Sequence, residues 1–97
     1  MTSKLFSLIY SPMDPKNYFV YILRTSGNTL YVGQTSNLRV RLQEHKNKKS
    51  RAAKYTRSFN SVTLVYTETF PSKSEALKRE YAIKQLTHAE KEQLISH

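Results

Sequence analysis

The sequence predicts a mixed α+β domain, because two short aromatic and β-branched runs joined by a turn are followed by a helical period, a third strand-like run and two capped helices. The chain has 97 residues, with 16 Lys and Arg against 7 Asp and Glu, for a formal net charge of +9. A domain of this size has room for one hydrophobic core and buries about 60% of its unfolded surface. No cysteine is present, which excludes a disulfide framework and thiolate zinc sites and fits an intracellular compartment. The apolar stretch at residues 5–10 is interrupted by Ser7 and is too short for a membrane span or a signal-peptide core. No membrane association is expected. The excess of positive charge points instead to a polyanion partner, most simply nucleic acid.

Residues 1–17 contain Ser11, Pro12, Asp14 and Pro15, which favour extended backbone, so this segment reads as a flexible leader before a single domain at residues 18–95. Residues 18–23 (YFVYIL) form a continuous apolar run that suits a strand covered on both faces. Ser26, Gly27 and Asn28 tolerate positive φ, and residues 29–33 (TLYVG) return as the second strand of a hairpin. Ser36 or Asn37 can cap a helix that runs from Leu38 to about Lys48. Residues 49–60 show no clear period. Residues 62–67 (VTLVYT) read as a third strand, with Pro71 ending that segment near Phe70. The order Ser72, Lys73, Ser74, Glu75 has the form of a capping box and opens a helix through about Leu86. Thr87 to Glu90 repeats the form, so a short last helix follows after a bend.

The first helix places Leu38, Arg41, Leu42 and His45 on one stripe, two apolar residues and two polar ones. The second repeats this with Ala76, Leu77, Glu80, Tyr81, Ile83 and Lys84. Spacing alone allows Arg41 to snorkel and His45 to be a satisfied, half-buried imidazole. A carboxylate on the core-facing side must be paired, here with Arg41 or Lys84, or must hold a cation, because unpaired burial costs several kcal/mol or raises its pKa. Packed on one sheet, the two stripes would make a convergent polar site.

Between residues 39 and 57 stand Arg39, Arg41, Lys46, Lys48, Lys49, Arg51, Lys54 and Arg57, with Glu44 the lone acid and Tyr55 among them. Such a run favours phosphate contact, which confers affinity and salt dependence but no base specificity.

Phe19-Val20-Tyr21, then Tyr31-Val32-Gly33 with the second tyrosine ten residues after the first, then Asn37, Leu38, Arg41, Leu42 and His45, and Glu80 in a later helix, form an ordered set. This set resembles the GIY-YIG nuclease superfamily over about residues 18–93, and the chain length and the ending from Leu86 to Lys91 are most similar to its small stand-alone bacterial members. The resemblance implies an α+β fold with a three-stranded antiparallel sheet flanked by helices. It also implies a metal-dependent endonuclease that hydrolyses phosphodiester bonds in structured or damaged DNA. Tyr21 and Tyr31 correspond to the motif tyrosines, Gly33 to the motif glycine, Arg41 to the helix arginine, His45 to a position of His or Tyr, and Glu80 to the metal carboxylate.

One Mg²⁺ or Mn²⁺ on Glu80 is the expected cofactor, and Arg41 is expected on the scissile phosphate. Tyr21 or Tyr31 would orient water as a base, provided nearby cations lower a phenol pKa from about 10. Gly33 would let phosphate or the facing helix approach the backbone. Arg39, Lys46, Lys48, Lys49, Arg51, Lys54, Arg57 and Lys84 are the expected nucleic-acid contacts, with DNA favoured over RNA. The resemblance allows a protein partner for substrate choice and places the chain in the bacterial cytosol or nucleoid. The alternative is a noncatalytic or weakly catalytic nucleic-acid-binding module on the same fold.

A shared site requires Tyr21 and Tyr31 on one face of the sheet. A two-residue turn at Gly27 and Asn28 would pair Arg24 with Tyr31 and set the phenols on opposite faces. A loop of three or five residues, or a bulge, is therefore predicted.

Overall fold

The protein is described by a computed structural model at residues 17–47 and 60–97. The elements run β1 (Tyr18–Thr25), β2 (Leu30–Thr35), α1 (Leu38–Asn47), β3 (Val62–Phe70), α2 (Lys73–Lys84) and α3 (His88–Ser96). The three strands form one sheet in the order β2-β1-β3, and both pairings are antiparallel. Since β1 is central and covered on both sides, its apolar run needs no alternation, and Phe19 through Leu23 are all buried. None of the helices among the described residues is long and apolar enough to cross a membrane.

The hairpin loop answers the parity requirement. Thr25 N–H donates to the Thr29 carbonyl at 3.0 Å, and Asn28 N–H donates to the Thr25 carbonyl at 2.8 Å, leaving a three-residue loop at Ser26, Gly27 and Asn28. Asn28, at φ 64°, carries the left-handed conformation that the sequence allowed for either neighbour. The resulting register pairs Tyr21 with Gly33 and Leu23 with Tyr31, so both tyrosines face the same side.

That side of the sheet is covered by α1. Phe19, Tyr21, Leu23 and Leu38 form its buried cluster, with Tyr31, Leu42, Val62 and Leu64 packed against it. On the other side Val20, Ile22, Val32, Ala76 and Ile83 form a second cluster, which Leu86, Leu94 and Ile95 complete. The register of β3 against β1 shifts between Ile22 and Leu23: Leu23 pairs with Leu64, but Ile22 pairs with Tyr66. Val65 is the extra residue of this bulge. It moves Tyr66, Glu68 and Phe70 to the face opposite Leu64, although all four share one parity. Glu68 thereby meets Arg79 of α2 through two hydrogen bonds of 2.8 and 2.9 Å, and the Tyr66 hydroxyl also donates to its carboxylate.

The helices begin where their caps place them. Val40 N–H donates to the Asn37 side chain at 3.1 Å, so Asn37 rather than Ser36 caps α1. Ser72 accepts from Glu75 N–H, and Thr87 forms a full capping box with Glu90. The first long stripe holds, since Leu38 and His45 are buried and Arg41 and Leu42 half-buried. The second is narrower than its sequence suggests. Ala76 and Ile83 are buried and Glu80 is half-buried, but Leu77 and Tyr81 are 43% and 69% exposed, and Lys84 is exposed too. Only the row of α2 that carries Ala76, Glu80 and Ile83 turns toward the sheet, and Leu77, Tyr81 and Lys84 flank it toward water.

Candidate functional site

The site assembles around the Tyr21 phenol, which is fully buried where β1 meets α1. Its ring lies over Gly33, the residue opposite on β2. A Cβ built on Gly33 would stand 2.5 Å from Tyr21 Oη and 2.6 Å from Cζ. The glycine is therefore explained by the cross-strand ring, which corrects the expectation that phosphate or a facing helix takes that space.

Leu38 anchors α1 on the sheet, and one helical turn then sets Arg41 and the next His45 toward the tyrosines. The Tyr21 hydroxyl and His45 Nε2 are 3.0 Å apart in a buried hydrogen bond. Tyr31 completes a trio, its ring centroid 5.0 Å from that of His45 and 6.3 Å from that of Tyr21. Tyr31 is half-exposed, so it is the phenol on the open side. Arg41 acts on Tyr21 as a cation and hydrogen-bond partner, and Glu80 acts on it as a negative charge. Tyr31 of β2 and Arg41 and His45 of α1 thus gather at one phenol, whereas Glu80 belongs to α2, which packs on the opposite face, and is the smallest of the charge effects on it.

The electrostatics revise the roles. Burial, helped by Tyr31, pushes the Tyr21 phenol well above its ordinary value of 10, and the Arg41 contribution in the other direction is outweighed. The expectation that cations lower this phenol is thereby overturned for Tyr21, because removing the ring from water costs its phenolate more than one guanidinium returns. Burial and then the Arg41 charge push His45 below 6.5, against a smaller opposing effect of Glu44, so the imidazole is held neutral.

A depressed histidine pKa contributes stability that is present above the unfolded value and lost as pH falls through the folded one. Wild-type stability to urea is therefore expected to decline as pH falls below about 6.5, and His45→Gln is expected to show less of that decline. Glu68 and Glu92 are lowered from 4.5, so their own acid losses lie at lower pH. Equal slopes for the two proteins between about pH 6.5 and 5 would show that His45 is not the titrating group.

Arg41 is held by a residue that sequence reasoning passed over. Glu44 Oε1 lies 3.0 Å from Arg41 Nε, which occupies the inner edge of the guanidinium fork. Its signal was available, since Glu44 stands three residues on in a helix and is the lone acid of the basic run. Arg41 is therefore not paired with Glu80. Glu80 instead pairs with Lys84, at 3.1 Å.

Glu80 can hold a metal only in a particular way. It supplies one half-buried carboxylate, and among the described residues no group of three or more His, Asp and Glu side chains gathers to form a cage. Such a ligand fits a hard ion that keeps most of its water and takes further oxygen from substrate, as Mg²⁺ does. Of the expected nucleic-acid contacts, Arg39, Lys46 and Lys84 are exposed on the helices. Lys48, Lys49, Arg51, Lys54 and Arg57 lie outside the described residues.

Known proteins resemble the chain in sequence and in fold. The family model described as the GIY-YIG catalytic domain matches residues 17–93. The chain is 49% identical over 82 residues to the UPF0213 protein DP2720 of Desulfotalea psychrophila, covering 84% of this chain and 74% of that one. It is 54% identical over 80 residues to a UPF0213 protein of Syntrophus aciditrophicus, covering 82% and 90%. Among solved structures, the solution structure of EF2693 from E. faecalis superposes with a TM-score of 0.59 at 37% identity, covering 84% of each chain. That of the UPF0213 protein BH0048 from Bacillus halodurans superposes with a TM-score of 0.54 at 42% identity, covering 82% and 83%.

Proposed function

Because the chain belongs to the GIY-YIG catalytic domain family, we propose that it is a divalent-metal-dependent endonuclease hydrolysing phosphodiester bonds in structured or damaged DNA. The observation that carries this reading is the gathering of Arg41, His45, Tyr31 and the Glu80 charge around the buried Tyr21 phenol. Arg41, held at Nε by Glu44, presents the rest of its fork to the scissile phosphate and stabilises the charge gained in the transition state. Tyr31, on the open side, contacts the attacking water. His45 is the proton acceptor. The Tyr21 hydroxyl and His45 Nε2 share one buried hydrogen bond, which fixes the orientation of the imidazole beside the site. A Mg²⁺ or Mn²⁺ on Glu80 would, when bound, polarise the phosphate and neutralise part of its charge.

On this reading the substrate is DNA rather than RNA, the chain works in the cytosol or nucleoid, and a protein partner supplies substrate choice where the isolated chain cuts without preference. The test incubates labelled branched, nicked and single-stranded DNA, and matched RNA, with protein and either Mn²⁺ or EDTA. Cutting of the branched or nicked DNA with Mn²⁺ and none with EDTA is the expected outcome. Tight binding with every strand left whole would replace the enzyme with a noncatalytic binding module.

Both readings place phosphate contacts on α1. Replacing Arg39 and Lys46 with Gln is expected to flatten the dependence of log affinity on log salt by up to about 0.9 for each lost duplex contact. An unchanged slope in a fluorescence-anisotropy titration would move the binding face elsewhere.

A further inference from the structure

Glu80 and Lys84 sit one turn apart on α2, in the orientation that favours a helix ion pair, with the acid nearer the N-terminus. Their surroundings differ. The Glu80 side chain is 18% exposed, whereas that of Lys84 is 52% exposed at the end of the helix. The carboxylate is thus mostly shielded from water, and its partner is a solvated ammonium on a flexible four-carbon stem. Lys84 Nζ lies 3.1 Å from Glu80 Oε2, within the space that an ion bound to that oxygen would need. A divalent ion and an ammonium on one carboxylate repel each other, so they compete for it.

We propose that Lys84 is a tethered place-holding cation, which neutralises Glu80 in the metal-free protein and must be displaced for a divalent ion to bind. The proposal rests on the reading of Glu80 as the metal carboxylate. Its physical content is that the resting site is already charge-balanced. The ion therefore gains less on entering than it would at a bare carboxylate, with or without substrate phosphate present.

The experiment measures Mn²⁺ binding to the full chain without DNA, by electron paramagnetic resonance of the free ion, for wild type, Lys84→Gln, Lys84→Arg and Glu80→Gln. Lys84→Gln is expected to bind Mn²⁺ about two- to fivefold more tightly, the range that removal of a partly exposed ion pair implies. Lys84→Arg, which keeps the charge, is expected to stay near wild type, and Glu80→Gln to lose the site. If Glu80→Gln loses Mn²⁺ but Lys84→Gln binds it no more tightly than wild type, place-holding is wrong and the metal reading survives. A lower melting temperature for Lys84→Gln with unchanged Mn²⁺ affinity would likewise reduce Lys84 to a helix-stabilising partner. If Glu80→Gln keeps wild-type affinity, or no protein binds Mn²⁺, both the proposal and the metal reading fall.

Discussion

Arg41→Lys is expected to cut DNA about 10²–10³-fold more slowly than wild type at saturating DNA and Mn²⁺, with duplex affinity nearly unchanged. The substitution keeps the charge, so the electrostatic attraction to the backbone survives. What it removes is the fork. Glu44 holds Nε at 3.0 Å, which orients the plane of the guanidinium and directs its remaining donors. A lysine ammonium cannot be held by Glu44 and still present two parallel donors to a phosphate. The loss therefore belongs to the transition state, where an added charge appears on the phosphate oxygens, and single-turnover kinetics beside binding titrations separate the two effects. Equal losses in rate and affinity would make Arg41 an ordinary phosphate contact, and an unchanged rate would remove it from the reacting centre.

The second large effect is expected at Gly33. Gly33→Ala should destabilise the fold by about 1–3 kcal/mol in urea unfolding, the usual range for overpacking a closed core site. The cause is steric and not conformational, since no glycine among the described residues has positive φ. The added Cβ would meet Tyr21 Oη at 2.5 Å, Cζ at 2.6 Å and Cε1 at 3.0 Å. The ring cannot yield cheaply, because it is fully buried and its hydroxyl is hydrogen-bonded to His45. Either the strands separate slightly or the phenol swings off the imidazole, and the second route also perturbs cleavage. A Tyr21→Ala background removes the obstacle, so the cost of Gly33→Ala should largely vanish there. Additive costs in that cycle would mean that the ring and the glycine do not share the space.

Much of this was legible along the chain. The uninterrupted run at β1 announced a strand covered twice, and the capping residues Ser72 and Thr87 announced where α2 and α3 begin. The parity of Tyr21 and Tyr31 required a loop other than a two-residue turn, and a three-residue loop is what joins the strands. Other features were not legible. Leu77 and Tyr81 have the spacing of core residues, yet which row of α2 meets the sheet depends on how the helix is rotated against it. The bulge at Val65 reverses the faces of β3 with no glycine or proline to mark it. The sign of the Tyr21 shift required knowing how completely α1 covers the ring.

The amino-acid order by itself determined the strand and helix elements and the caps that open α2 and α3. Each of these depends on backbone preferences and on neighbours within a few positions. Tertiary structure alone decided that Gly33 makes room for Tyr21, that Glu44 rather than Glu80 holds Arg41, that Lys84 balances Glu80, and that the imidazole of His45 is neutral. These depend on distance and burial across a sheet covered on both faces, quantities that exist only once α1 and α2 have packed against it.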